Sequence, residues 1–252
     1  MSYSQSKSDR FFDDNIKTSL AHQNLTDFDR LWNSARNWVE TPNRRRNGWS
    51  GVSRLEMEGS GLPALFMKRQ ENHNTRTLLH PFRGIPTYRR ELNSILLFQK
   101  HNIPTLTPVY YGERIQDGNH QAILITLALD DYQDMHAFNR EGDDLRTRAA
   151  MGKLGKEIWH MHSKGLAHYC LYPNHVFVRF NNNAPEIRLI DLEKVRRDPL
   201  PRRMRYKDLE CYLRHSDSFT KEACQHFIDS YMSAGLVAGE QQLRRRLAER
   251  ER

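Results

Sequence analysis

The spacing of apolar residues along this 252-residue chain alternates between a period of two and a period near 3.6. The switches outline a β-rich first half and an α-rich second half. Residues 1 to about 12 are polar and predict a disordered start. Phe28, Leu31, Trp32, Ala35 and Val39 then recur at helical spacing behind the candidate cap Thr26, predicting a helix over 26–39 that Pro42 and the run Arg44–Arg46 interrupt. Gly48 opens an alternating stretch through Val52, Leu55 and Met57, residues 59–63 turn, and Leu65, Phe66 and Met67 lead to Lys68. This is strand, tight turn, strand. Residues 87–102 predict a helix with Leu92, Ile95, Leu96, Phe98 and Gln99 along its seam. Residues 104–112 are extended, 121–129 form a buried strand, and a turn around 116–119 joins them.

After Leu129 the pattern becomes helical. Residues 143–163 predict a long amphipathic helix whose apolar face carries Leu145, Ala149, Met151, Leu154, Ile158, Trp159 and Met161. Two strands follow, 175–180 and 187–192, joined by Asn-Asn-Asn-Ala-Pro-Glu, a strong turn signal. The remainder from Tyr206 is mostly helical and ends in an amphipathic, very basic segment. The fold class is α+β. The divisions are 1–43 as an N-terminal extension with a helix, 44–130 as a β-rich lobe and 131–252 as an α-rich lobe.

Composition narrows the class without deciding it. With 38% hydrophobic and 28% charged residues, most of the chain can bury a core. The longest strongly apolar run, 122–129, is far short of a membrane span, and the first residues have no signal-peptide pattern. Cys170, Cys211 and Cys224 form no CxxC pair and no disulfide framework, which fits a cytoplasmic protein. The net charge of +8 favours a polyanionic partner such as a nucleotide, nucleic acid or anionic headgroups, although a solvated basic surface accounts for it as well.

The chemistry concentrates between Trp159 and Asp191. A helix ends, His162-x-x-Gly165-x-x-His168 leads into a loop, and Cys170-Leu-Tyr-Pro-Asn-His175 enters a hairpin that closes on Arg188-Leu-Ile-Asp191. Apolar Leu189 and Ile190 bury the last strand and bring Asp191 to its end, where a metal-ligating carboxylate would stand. Upstream lie Gly48 and Gly51, candidates for a phosphate-covering turn, then Lys68 on a strand and Glu91 on the next helix, in that order. Phosphoryl transfer needs these types of group: positioned cations for the phosphates, donors for the metal, and a residue that aligns the acceptor hydroxyl. Each taken singly is as readily a turn glycine, a surface lysine or a core histidine.

Together these segments resemble the lipopolysaccharide kinase (Kdo/WaaP) family and its InaA-type branch. The likeness rests on residues 48–55, 66–70, 86–92, 103–112, 162–179 and 188–197 and covers roughly 44–215. It implies a protein-kinase-like fold, ATP with Mg²⁺, and a sugar hydroxyl of lipopolysaccharide core or a related glycolipid as acceptor. Lys68 then matches the phosphate-binding lysine and Glu91 its partner, with Gly48 and Gly51 over the phosphates. Asp191 and His175 match the metal ligands, and His168 is structural in the catalytic loop. Asp208 matches a buried Asp that braces that loop, although an ordinary acid at a helix N-terminus explains it equally well.

One position departs from the pattern. His-Arg-Asp is replaced by His168-Tyr169-Cys170, so a thiol stands where the catalytic carboxylate belongs. Near its ordinary pKa of about 8.5 a thiol keeps its proton at neutral pH. Surrounding basic groups could lower it, or Glu193 could stand in. The alternative is a pseudokinase that binds nucleotide, or a stress-related scaffold, without phosphoryl transfer. His168, Cys170 and His175 as a zinc trio have an uncommon spacing and no evident fourth ligand. A thiol hydrolase lacks an oxyanion-hole signature, and no nucleic-acid module is evident, so no nucleic acid is expected as a partner. A monomer is expected. The basic tail is either a solvated helix end or a peripheral contact with the cytoplasmic face of the inner membrane.

Overall fold

The computed structural model describes residues 5–45, 48–57, 59–77, 80–235 and 239–248. The chain divides into two compact units, one of residues 1–95 with 106–130, the other of 96–105 with 131–252.

The first unit is built on a six-stranded antiparallel sheet. Its elements run β1 (Gln5–Phe11), α1 (Asp14–His22), α2 (Phe28–Asn33), β2 (Asn43–Arg45), β3 (Gly48–Leu55), β4 (Leu65–Glu71), β5 (Asn74–Thr77), β6 (His80–Pro86), α3 (Thr87–Lys100, of which residues 96–100 are counted in the second unit), β7 (Pro108–Gln116) and β8 (Asn119–Leu127). The sheet order is β1-β7-β8-β4-β3-β2, while β5 and β6 form a separate hairpin. Asp117 and Gly118 at positive φ make the two-residue turn between β7 and β8.

Strand β4 explains how the layers assemble. Alternate residues face opposite sides. Leu65 and Met67 join Ile16, Leu20, Phe28, Leu31 and Trp32 of α1 and α2 in one apolar cluster. Lys68 and Gln70 face α3: Lys68 pairs with Glu91, and the Gln70 side-chain oxygen accepts from the Tyr88 amide at the start of that helix. Arg69 shares the α2 face and is fully buried, with no acidic partner among the described residues. Its guanidinium instead donates to the carbonyls of Leu31, Trp32, Ser34 and Ala35 at 2.9–3.3 Å and to Ser53 Oγ at 2.9 Å. The C-terminal carbonyls of a helix are unsatisfied and carry partial negative charge, so a cation there is well matched. Burial, with Arg36 adding repulsion, still lowers the Arg69 pKa to about 10, leaving it charged at neutral pH.

Three expectations change here. The start of the chain is not disordered from Gln5 onward: β1 is the edge strand of the sheet, paired with β7, and the Phe11 ring lies against Tyr110. Residues 1–4 lie outside the described residues. The helix expected over 26–39 is only α2, capped by Asp27 rather than Thr26 and ending where Arg69 collects its carbonyls. The β5–β6 hairpin, in a polar stretch with little alternation, was not anticipated.

The second unit contains β9 (Gln133–Asp134), α4 (Met135–Asn139), α5 (Asp144–Ser163), β10 (Leu166–Ala167), β11 (Val176–Asn181), β12 (Ala184–Leu189), β13 (Arg196–Arg197), α6 (Pro201–Arg214), α7 (Lys221–Ser233) and α8 (Glu240–Ala248). The Asp143 side chain caps α5, accepting from the Arg146 amide. On α5, Met151, Leu154, Ile158 and Met161 are fully buried as expected, but Leu145 is 81% exposed. The interior of α5 carries Gly152 and Gly155 because α7 crosses closely there. A β-carbon on Gly155 would lie 2.5 Å from the Phe227 carbonyl oxygen. Asn182 and Asn183, both at positive φ, close the β11–β12 hairpin. No described helix is long and apolar enough to cross a membrane.

Replacing Arg69 by Ala should strand several buried carbonyls at once and destabilise the protein by about 3–5 kcal/mol. Urea unfolding would register this as a fall in midpoint. Arg69→Lys, which keeps the charge but offers fewer donors, should lose less.

Candidate functional site

The functional side chains fall into two groups, one in each unit. In the first, the Lys68 ammonium on β4 meets the Glu91 carboxylate on α3 at 2.5 Å. Glu91 is 3% exposed, so the pair is largely shielded and Lys68 is held in one orientation. Gly48 and Gly51 are in the same unit but inside β3, not in a turn. Gly51 pairs with Arg69 across β3–β4, and a β-carbon there would strike the Trp38 ring at 2.6 Å. At Gly48 it would meet the Glu71 carbonyl oxygen at 2.4 Å. Close packing is therefore sufficient reason for both glycines. Residues 46–47, before Gly48, lie outside the described residues.

The second group is arranged around the loop between β10 and β11. Asp208 on α6 is completely buried and anchors it. One carboxylate oxygen accepts from the His168 amide at 2.7 Å and from His162 Nε2 at 3.1 Å, and the other accepts from the Tyr169 amide at 2.7 Å. With His162 Nε2 donating, its Nδ1 accepts from the Tyr231 hydroxyl at 2.9 Å. Capture of two consecutive amides accompanies a tight loop in which Tyr169 takes a left-handed conformation, φ 58°. The Tyr169 hydroxyl donates to Asp198, and Arg196 lies 4.0 Å over its ring.

His168 is buried, and its Nε2 donates to the Ile190 carbonyl at 3.0 Å. Burial lowers its pKa and keeps the imidazole neutral. Its Nδ1 has no partner among the described residues. The ring is fully buried in the core. It ties the loop to the strand end before Asp191.

Cys170, His175 and Asp191 converge. His175 closes a single 3-10 turn, residues 173–175, and its Nδ1 donates to the Cys170 carbonyl at 2.8 Å and lies 3.5 Å from Asp191 Oδ2. Asp191 follows β12 in a left-handed conformation, φ 57° and ψ 54°. A non-glycine residue held there costs about 1–3 kcal/mol and is found where function constrains the backbone. The ligand atoms of the three residues all lie within 4.8 Å of one another. Such a set can hold a divalent cation.

The Cys170 thiol is 3% exposed and lies 3.4 Å from Lys194 Nζ. Burial and then the Asp191 charge push its pKa up to about 11, and Lys194 only partly offsets them. The expectation that basic neighbours lower it is reversed, because desolvation outweighs one lysine. Without a metal, Cys170 keeps its proton at neutral pH and is no base. Lys194, next to Asp191 in the 3-10 turn of residues 192–194, is the neighbour that sequence reasoning missed. Its only sequence signal was proximity to Asp191.

The sequence matches the lipopolysaccharide kinase (Kdo/WaaP) family over residues 29–231. It is 32% identical over 178 residues to Protein InaA of Escherichia coli (strain K12), covering 68% of this chain and 79% of InaA. Among solved structures, WaaP in complex with acyl carrier protein is similar with a TM-score of 0.62 at 21% identity, covering 88% of this chain and 94% of that one. This likeness shows the α+β, protein-kinase-like fold expected from the sequence.

Asp208→Asn should place an amide NH₂ against N–H donors that now share a carboxylate. About 3–5 kcal/mol of stability should be lost, and hydrogen exchange at the His168 and Tyr169 amides should accelerate before that of the α6 amides. Unchanged protection of those two amides would remove Asp208 as the anchor of the loop.

Proposed function

This chain belongs to the lipopolysaccharide kinase (Kdo/WaaP) family, and from that membership we propose that it transfers the γ-phosphoryl group of ATP to a sugar hydroxyl of lipopolysaccharide core or a related glycolipid. The observation that carries the proposal is the meeting of Asp191 and His175, with Asp191 fixed in a left-handed turn at the strand end. The Asp191 carboxylate with water and phosphate oxygens is enough for a hard divalent ion. Mg²⁺, when bound, would neutralise charge on the phosphates. Lys68, held by Glu91, supplies a fixed cation for phosphate oxygens, and Gly48 and Gly51 belong to the strand assigned to cover them.

Cys170 decides the rate. A protonated thiol can donate a hydrogen bond but does not accept the hydroxyl proton. In a loose transition state that proton leaves late, and the missing base costs about 10²–10⁴-fold rather than all activity. Slow transfer is therefore the reading preferred here. The same protonated thiol favours the second reading, a pseudokinase that binds nucleotide without turnover.

The acceptor class implies work at the cytoplasmic face of the inner membrane, with the basic C-terminal segment facing anionic lipid. Part of that segment is engaged already: Leu243 and Leu247 are buried, and Arg246 lies over the Tyr206 ring. Residues 249–252 lie outside the described residues. Equal flotation of the protein on anionic and neutral liposomes would remove the membrane from the reading.

ATP with Mg²⁺ should raise the melting temperature of the wild type, and Asp191→Ala should abolish the Mg²⁺-dependent part. In single-turnover transfer to a lipopolysaccharide-core acceptor, wild type should be slow and Cys170→Asp faster by about 10²-fold. A silent wild type beside an active Cys170→Asp variant selects the pseudokinase. If no nucleotide shifts the melting curve, both readings fall.

A further inference from the structure

We propose that Cys170, His175 and Asp191 form a three-donor site for a transition-metal ion of the Zn²⁺ class, filled without nucleotide and in preference to Mg²⁺. The site shares two residues with the phosphotransferase reading but does not rest on it.

The donor set is the first argument. Sulfur, nitrogen and oxygen donors within 4.8 Å of one another are drawn from a loop, a 3-10 turn and a strand end. Mg²⁺ favours oxygen ligands in a near-ideal octahedron and gains nothing from a thiol. Zn²⁺ takes Cys, His and carboxylate together, and three protein donors with an open fourth position are the usual form of its catalytic sites. The exchange of a carboxylate for a thiol at position 170 therefore changes which metal the site prefers, not only whether it holds a base.

Geometry is the second. Around Zn²⁺, with bonds of about 2.0–2.3 Å, donors stand roughly 3.5 Å apart, so the three must close by about an ångström. Two are constrained and one is free. Cys170 is buried, and the His175 ring is tethered through Nδ1 to the Cys170 carbonyl at 2.8 Å. The Asp191 side chain is 36% exposed and can swing. Backbone amides just before Cys170 are clamped by Asp208, so the sulfur is presented by a rigid loop. Lys194, the cation beside the sulfur, is solvent-exposed and can turn away as a metal enters. Thiolate and carboxylate together balance a 2+ ion.

The structure also corrects the zinc trio considered from spacing alone. His168 is not a member: the ligand atoms that lie within 4.8 Å of one another are those of Cys170, His175 and Asp191, and the His168 ring is turned to the Ile190 carbonyl. Asp191, distant in sequence, takes its place.

Titration of the nucleotide-free protein with Co²⁺ tests the proposal. Wild type should develop a sulfur-to-cobalt charge-transfer band in the near ultraviolet together with visible bands of a tetrahedral ion. The signal should saturate at one equivalent, be erased by Zn²⁺ and survive millimolar Mg²⁺. Cys170→Ser should lose the charge-transfer band, and Asp191→Ala should bind at least about tenfold more weakly, both with unchanged circular dichroism. Should either variant unfold, Cys170→Asp serves instead: it should lose the sulfur band and become sensitive to Mg²⁺. No band in wild type, or a band retained in Cys170→Ser and so arising from Cys211 or Cys224, overturns the proposal. Since ATP is absent from every arm, that outcome leaves nucleotide binding to be judged by its own melting shift.

Discussion

The buried carboxylate of Asp208 is the constraint on which the second unit's chemistry depends. A carboxylate with no access to water must have its lone pairs occupied, and here two consecutive loop amides and a histidine occupy them. Satisfying Asp208 therefore dictates the loop. The chain bends sharply at Tyr169, His168 turns inward to the Ile190 carbonyl, and Cys170 is presented next to His175 and Asp191. The network extends through His162 to Tyr231, so α5, α6 and α7 all have a share in the shape of one short loop.

The first unit obeys a similar rule with the opposite charge. Arg69 is a cation with no acid beside it among the described residues, stabilised by the carbonyls at the end of α2. Its neighbour Lys68 points the other way and pairs with Glu91. Two adjacent basic residues on one strand thus do different work: one attaches the N-terminal helices to the sheet, and the other holds a charge at the opposite face. The pleat of the strand separates them.

The thiol at position 170 gives the site its individual character. A carboxylate there would be charged at neutral pH, whereas the buried thiol is not, because burial and Asp191 outweigh Lys194. This family membership with an altered base position is compatible with slow transfer or with none. The cluster of sulfur, nitrogen and oxygen atoms offers a metal something a carboxylate would not.

Much of this was legible in the chain. Alternation marked β3 and β4, a continuous apolar run marked β8, the 3.6 period marked α3 and α5, and the asparagine and Asp-Gly turns marked two hairpins, because these depend on local backbone preference and on which faces are buried. Motif order singled out Lys68 and Glu91, which pair, and His175 and Asp191, which stand side by side. Other features were decided only by partners far away in sequence. The polar start became a strand because β7 had a free edge. The helix after Thr26 stopped early because Arg69 received its last carbonyls. Gly48 and Gly51 lie within a strand, where neighbouring backbone and the Trp38 ring leave no room for a β-carbon. The state of Cys170 could not be read from its basic neighbours, since a pKa depends on desolvation, and burial is a property of the folded chain. The same holds for the metal cluster: Cys170 and Asp191 are 21 positions apart, and only the hairpin and the Asp208-braced loop bring their ligand atoms together.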